Sequence, residues 1–365
     1  MRKFALSRIL KAAYSAAAIV LFCSTFLRAQ TAPPSAPAVA PPASPPAYRE
    51  VTDEVARSIR IPQTVHRVVS LAPSLTETIY ALGLQDLLVG DTNYCDFPPE
   101  ARNKTKVGGS INPSLEAIAA LHPDLVLVTK SLNRLDTVNS LADLGIPSYS
   151  TDPHTIDDII SSAQRLADVL GAPEAGNALA KDLERRLSDT QQRVGSLAPS
   201  RVVFVVWPEP LISIGKDTFI ADALQHAGAV SVVDSSQSWP QINLEEVVRL
   251  QPDFLVFADS HSETAPASTA QFAELPGWRI LQAVKNHRYA VTSDAINRPA
   301  PRIVSAIEDL AKQFHPEAFV EKPETDKASP DKSNPAAPTT PPDSNPPSSL
   351  AEADSFAAQE YTCVR

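Results

Sequence analysis

The stretch SLEAIAALHPDLVLV (114–128) returns later as NLEEVVRLQPDFLVF (243–257). Leu115, Glu116, Leu121, Pro123 and Asp124 recur as Leu244, Glu245, Leu250, Pro252 and Asp253, at a constant offset of 129 residues. A capping residue, a short helix, a proline turn and an apolar strand are therefore laid down twice. Each half of the folded chain must be built around the same unit, so two α/β lobes are expected.

Short apolar runs alternate with helical patterns around this unit. RVVSL (67–71), DLVLVT (124–129), RVVFVVW (201–207), SVV (231–233), DFLVFA (253–258) and RYAVT (288–292) read as strands. Continuous apolar runs separated by helices indicate parallel strands covered on both faces. A helical run, Thr76–Leu82, follows the first of them. Between the halves, Ile156 to about Leu197 is nearly all helical. Ile156, Ile159, Ile160, Ala163, Leu166 and Leu170 keep one apolar stripe; Gly171–Pro173 stop it, and Leu179, Leu183, Leu187 and Val194 carry the next. The expected fold class is α/β, two lobes with parallel sheets joined by a single long rigid helix, which limits relative motion of the lobes. The expected boundaries are 61–152 for the first lobe, 153–198 for the bridging helices and 199–320 for the second lobe.

The ends read differently. Residues 1–30 begin with Arg2, Lys3, Arg8 and Lys11 and run apolar from Ala12 to Leu27, the pattern of a secretory signal peptide. The run is shorter than the ~20 residues of a membrane-spanning helix, and an uncleaved tether is the alternative. Bulky Phe22 before Cys23 argues against lipidation there. Residues 31–60 are expected as a Pro/Ala-rich linker and 321–365 as a disordered, proline-rich tail.

Several functional classes fall away on charge and motif. The net charge of −10, without a basic stripe or run, excludes nucleic acid and anionic membrane surfaces as partners. Cys95 and Cys363 lie far apart and make no disulfide framework, so the fold rests on its core. The seven histidines (66, 122, 154, 226, 261, 287 and 315) are isolated, which leaves no metal site of three converging ligands. No G-x-S-x-G elbow, Walker A loop, G-x-G-x-x-G turn or H-E-x-x-H helix is present, and the chain is expected not to be an enzyme. A periplasmic enzyme using Asp91 and Asp96 as acid and base is the distant alternative.

Ser114 and Asn243 sit as N-caps, and Glu116 and Glu245 lie where a helix dipole favours negative charge. Local stabilisation of two helix starts is one reading of these glutamates. Matched charges at the tips of two similar lobes, offered to a two-fold symmetric partner, is the other. The stretches RVVSLAPSLTETIYALG (67–83), DTNYCDFPPEARNKTKVGGSINPSLE (91–116), SWPQINLEEV (238–247), LPGW (275–278) and NRPAPRI (297–303), taken in order, resemble the periplasmic substrate-binding proteins of ABC importers for vitamin B12 and iron chelates, particularly the cobalamin-binding branch. The resemblance covers about 60–320. It implies two Rossmann-like lobes with ligand in the groove between them, and one surface glutamate per lobe pairing with arginines of a permease dimer. Glu116 and Glu245 match those positions.

A corrinoid is bulky, flat and amide-edged, so its site needs aromatic faces and a few polar groups. Aromatics are only 6% of the chain, so their placement is informative. Tyr94 and Phe97 lie in the loop NYCDFPP, Trp207 ends the RVVFVVW run, and Trp239 sits in QSWPQ. The resemblance implies ligand contacts for Tyr94 and Trp239, and a polar loop over the groove carrying Asp294 and Arg298. Ordinary packing under a loop is the alternative for each aromatic, and a surface ion pair for Arg298. Gly109 and Ser110 follow a short strand where close backbone approach is possible, and Ser74 lies in the LAPSL loop that faces the groove in the family. Where the best-known B12 binders carry tryptophans, this chain has Ser110 and, roughly, Thr129. The expected ligand is cobalamin or a related corrinoid, with a ferric siderophore or haem as the alternative. No cofactor is expected. The protein is expected to act as a monomer outside the cytoplasm, its lobes nearly preset, releasing ligand when the transporter draws them slightly apart.

Overall fold

The computed structural model describes residues 47–259 and 274–320. The expected signal peptide, most of the linker, the tail and His261 lie outside them.

The first lobe is a five-stranded sheet made of β3 (Val68–Ser70), β4 (Leu88–Asp91), β5 (Thr105–Lys106), β6 (Leu125–Thr129) and β7 (Ser148–Thr151), in the order β5-β4-β3-β6-β7. Every neighbouring pair is parallel. Numbered within the lobe this is the order 3-2-1-4-5, the doubly wound arrangement, whose direction of growth reverses between β3 and β6. Helices α1 (Pro73–Ala81), α2 (Leu115–Ala120) and α3 (Leu135–Asp143) cover its faces. The second lobe orders β11 (Ala229–Ser231), β8 (Ser200–Phe204), β12 (Phe254–Asp259) and β13 (Tyr289–Ser293) as β11-β8-β12-β13, again all parallel. Its reversal falls between β8 and β12.

The repeat is visible in the backbone. Helix α2 leads into β6 as α7 (Leu244–Leu250) leads into β12. The chain turns between them through His122 and Gln251, both at φ 45°, the left-handed geometry that ends a helix tightly. The unit also reaches further than the repeated text. Asp124 Oδ2 accepts the N–H groups of His66 and Arg67, and the Arg67 guanidinium donates to the carbonyls of Leu121 and His122. Asp253 Oδ2 accepts the Arg201 N–H, while Arg201 donates to the carbonyls of Leu250 and Gln251. An Arg-Val-Val strand thus clips the end of each repeated helix.

The connector differs from the expected single helix. It is two helices, α4 (Ile156–Val169) and α5 (Pro173–Val194). A capping box starts α4, with Thr155 Oγ1 accepting from Asp158 N and the Asp158 carboxylate accepting from Thr155 N. Gly171, at φ 80°, ends it, and Pro173 opens α5. The two lie so close that a Cβ on Gly176 would sit 2.7 Å from Ala167 Cβ, so only glycine fits. Only α4 joins the lobes. Ile156, Ile159 and Ile160 belong to the core of the second lobe, whereas Leu166, Val169 and Leu170 belong to the core of the first. Helix α5 packs its stripe of Ala180, Leu183, Leu187 and Val194 wholly on the second lobe. One 14-residue rod, about 21 Å long, is therefore shared by two cores.

Residues 48–60 are a second departure. The end of the expected linker is a hairpin of β1 (Tyr48–Thr52) and β2 (Ser58–Pro62), antiparallel, with Val51, Ile59 and Ile61 against the first core. Its period-two alternation buries one face, so it is part of the lobe. The run RVVFVVW is also split. The strand ends at Phe204, and Trp207 starts a small hairpin, β9 (Trp207–Pro208) with β10 (Leu211–Ile212). Among the described residues the remaining α-helices are α6 (Phe219–His226), α8 (Gln282–Lys285) and α9 (Ile303–Phe314). No helix of the described residues is long and apolar enough to cross a membrane.

Candidate functional site

Every expected ligand-contacting residue lies beyond the carboxyl end of a parallel strand: Ser74 after β3, Tyr94 and Phe97 after β4, Gly109 and Ser110 after β5, Trp207 after β8, Trp239 after β11, Asp294 and Arg298 after β13. Open α/β sheets place ligands at these ends because loops and helix starts there are free to diverge.

Contacts between the lobes show that these ends face each other. Glu77, on α1 of the first lobe, receives Arg298 Nη1 on Oε1 at 2.7 Å and Arg302 Nε on Oε2 at 2.9 Å. Arg302 Nη2 also donates to Oε1 at 3.0 Å. Arg298 further pairs with Asp96 of the first lobe at 2.8 Å and with Asp294 of its own lobe at 3.0 Å. Asp294 also holds Arg302 at 2.8 Å, and the Arg302 guanidinium lies 3.9 Å above the centre of the Phe97 ring. Burial opposes the charge on both arginines, but the carboxylates prevail and raise their pKa further. Burial likewise disfavours the Asp96 anion, and Arg298 outweighs it, holding that carboxyl below its usual range. Three carboxylates against two guanidinia leave this cluster one negative charge in excess.

The structure therefore brings Phe97, Asp294 and Arg298 together, and adds Glu77, Asp96 and Arg302. Arg298 is no isolated surface ion pair. Tyr94 lies over Gly109, where a Cβ would stand 3.8 Å from the ring, and is 64% exposed. Trp239 is 52% exposed and Trp207 38% exposed, the latter's Nε1–H donating to the Glu209 carbonyl at 2.8 Å. Two expected groove residues are sunk into the floor instead. Ser74 lies in the first turn of α1 and is buried. Ser110 is buried as well: its hydroxyl donates to Thr92 Oγ1 and its carbonyl accepts from Asn133 Nδ2. Asn133 also bonds the Leu71 carbonyl and the Thr129 N–H, tying the floor across the β3/β6 reversal. Thr129, like Ser110, is buried.

The loop carrying Tyr94 and Phe97 is fastened from below. Lys106 Nζ donates to Asp91 Oδ1 at 2.7 Å and to the carbonyls of Cys95 and Ala101. The Cys95 thiol is buried between the hydroxyls of Thr76 and Thr92, and burial raises its pKa, so it packs as a neutral group. Asp91 has no exposed surface, and its Oδ2 lacks a hydrogen-bond partner among the described residues. Burial dominates the bonding and attraction from Lys106 and moves the Asp91 carboxyl up to about 6. The folded chain then holds this proton more tightly than the unfolded one, whose carboxyl titrates near 3.8. The contribution to stability is complete below about pH 4 and is lost as pH rises through about 6. Asp91→Asn is expected to flatten stability against pH across that window, followed by urea unfolding. A curve as steep as that of the parent protein would contradict this assignment.

Glu116 and Glu245 are exposed in the first turns of α2 and α7. Ser114 Oγ accepts from the Ala117 N–H and donates to Glu116 Oε2 at 3.1 Å; bonding from Glu116's own backbone N–H and from Ser114 lowers the glutamate's pKa. Asn243 Oδ1 accepts the Glu245 N–H. The two glutamates stand at equivalent helix starts, one per lobe. Among the described residues no group of His, Cys, Asp and Glu side chains is arranged to hold a metal ion.

Comparison with known proteins fits this geometry. Residues 68–295 match the family described as periplasmic binding protein. The chain is 31% identical over 279 residues to an uncharacterised ABC transporter substrate-binding lipoprotein, YvrC, of Bacillus subtilis, covering 74% of this chain and 87% of that protein. It is 30% identical over 254 residues to the vitamin B12-binding protein of Vibrio parahaemolyticus, covering 69% of this chain and 90% of that one. The crystal structure of the periplasmic vitamin B12 binding protein BtuF of Vibrio cholerae superposes with a TM-score of 0.61 at 28% identity, covering 70% of this chain and 99% of that one.

Proposed function

The chain belongs to the periplasmic binding protein family, and we propose that it is the extracytoplasmic substrate-binding component of an ABC importer, holding cobalamin or a related corrinoid between its lobes. The observation that carries the reading is the set of exposed aromatics, Tyr94, Phe97, Trp207 and Trp239, on the loops beyond the carboxyl ends of both sheets. Flat rings on both sides suit a flat, largely apolar macrocycle.

The charge of the interlobe cluster favours a corrinoid over haem or a ferric chelate. Carboxylate-bearing ligands need arginines with donors to spare. Arg298 and Arg302 are already engaged by Glu77, Asp96 and Asp294, and the cluster carries a net negative charge. An amide-edged ligand meets no such penalty. Tyr94, Phe97, Gly109, Trp207, Trp239, Asp294 and Arg298 are the proposed contacts. Ser74 and Ser110 support the floor.

Glu116 and Glu245 are the proposed docking charges, one for each subunit of a permease dimer. The binding component itself acts as a monomer in this reading, exported and then cleaved or tethered at its N-terminus.

Titration of the purified protein by calorimetry with cyanocobalamin, haemin and a ferric siderophore tests the ligand. Saturable binding of cyanocobalamin alone is expected; preference for either iron compound would replace the corrinoid reading. Trp239→Ala is expected to weaken cyanocobalamin binding by ~1–3 kcal/mol, the loss of one buried ring contact. Unchanged affinity would remove Trp239 from the site.

A further inference from the structure

We propose that Glu77 is a positioning residue that sets the width of the gap between the lobes by clamping Arg298 and Arg302 across it, whether or not a ligand is bound. A single shared helix supplies an axis, and it leaves the angle of one lobe about that axis to other contacts. The Glu77 cluster supplies them. Its two arginines lie 221 and 225 residues from Glu77 in the chain, so these bonds join lobes and do no local work. Both carboxylate oxygens are occupied, by three N–H donors from two guanidinia, which fixes direction as well as distance.

Each side of the clamp is anchored in its own lobe. Behind the arginines, Asp294 holds both. Behind Glu77, α1 is fastened by Thr76, whose hydroxyl donates to Ser70 Oγ of β3 and lies against Cys95 of the aromatic loop. The Glu77 side chain is only 2% exposed, so salt and water screen these bonds little. Any change in the gap would strand a buried charge. Arg302 also rests on Phe97, so the clamp fixes where the first lobe's aromatic loop stands relative to the second lobe.

The effect on affinity rests on the function proposed above; the gap width does not, and it can be measured without ligand. Nitroxide labels at Asn139→Cys and Asp217→Cys, exposed positions one in each lobe, report the separation by double electron–electron resonance. Cys23 and Cys363 are replaced by serine, and Cys95 is buried. One narrow distance is expected for the parent protein. Glu77→Gln should give a broader distribution centred at longer distance, and Glu77→Asp, which keeps the charge, should restore a narrow one. Cyanocobalamin affinity should fall about tenfold in the Gln variant, equivalent to the loss of about one charged hydrogen bond.

An unchanged distance distribution in Glu77→Gln overturns the proposal. So does a lower melting temperature with the distribution intact, which would make Glu77 a packing residue. Broadening in a protein that binds no cyanocobalamin, mutant or parent, supports the clamp while removing the ligand. If Glu77→Gln does not fold, Arg302→Lys keeps the charge without the fork. The same broadening is expected there, and its absence overturns the clamp.

Discussion

Replacing Glu116 and Glu245 together by lysine is expected to abolish uptake of the imported ligand by cells while leaving the affinity of the purified protein unchanged. Both side chains are exposed, at the first turns of α2 and α7, and neither contributes to the interlobe cluster. Reversal turns each proposed docking attraction into repulsion between like charges, and like-charge contacts at an interface are costly. The fold should survive, because the helix caps remain: Ser114 and Asn243 still accept the N–H groups of Ala117 and Glu245's successor at position 245. Each single reversal should give partial uptake. The check is accumulation of labelled cyanocobalamin in cells beside calorimetry on the purified variants. Full uptake by the double variant would end the docking proposal; loss of binding would show that the helices, and not the docking charges, had been damaged.

Leu166→Ala is expected to destabilise the protein by ~2–5 kcal/mol, the usual cost of emptying a buried leucine site. Leu166 is 1% exposed, on the half of α4 that enters the core of the first lobe. The signal can be read in the other lobe. All three tryptophans, Trp207, Trp239 and Trp278, lie in the second. Because the two cores share α4, tryptophan fluorescence should report the same lowered urea midpoint as backbone circular dichroism. If fluorescence keeps its original midpoint while the circular dichroism splits into two steps, the lobes fold independently and α4 is only a tether.

The strands richest in apolar residues were legible because burial on both faces leaves a mark at every position; β4 and β7 were not, and SVV (231–233) meets β11 only at Ser231. DLVLVT and DFLVFA are continuous apolar runs, and they became β6 and β12 within a residue or so of the expected bounds. The helices of the connector were legible from their stripes and from Gly171–Pro173. The hairpin at 48–62 was not. It follows a proline-rich stretch, and its alternation, YREVT and SIRIP, is short and interrupted by charge. Trp207 was placed in a strand because RVVFVV continues without a break, although the chain leaves the sheet after Phe204.

The candidate site divides in the same way. Loop aromatics such as Tyr94 and Trp239 stand out where no periodicity requires them. Ser74 and Ser110 read as groove candidates because a serine in a loop carries no mark of its burial. Glu77 left no signal at all. A glutamate in the middle of an ordinary helix reads as a solvent-facing charge, and its two partners are more than two hundred residues away.

The sequence alone determined what is written locally: a duplicated helix–turn–strand unit, apolar runs that must be parallel strands, caps that start and stop the helices, and a glutamate at the matching position of each repeated helix start, Glu116 and Glu245. Tertiary structure decided which half of α4 enters which core, and which charges meet across the gap. Periodicity and capping act over a few residues and so are recorded in order along the chain. An ion pair between lobes depends on how two finished sheets are set against each other, and no stretch of residues contains that angle.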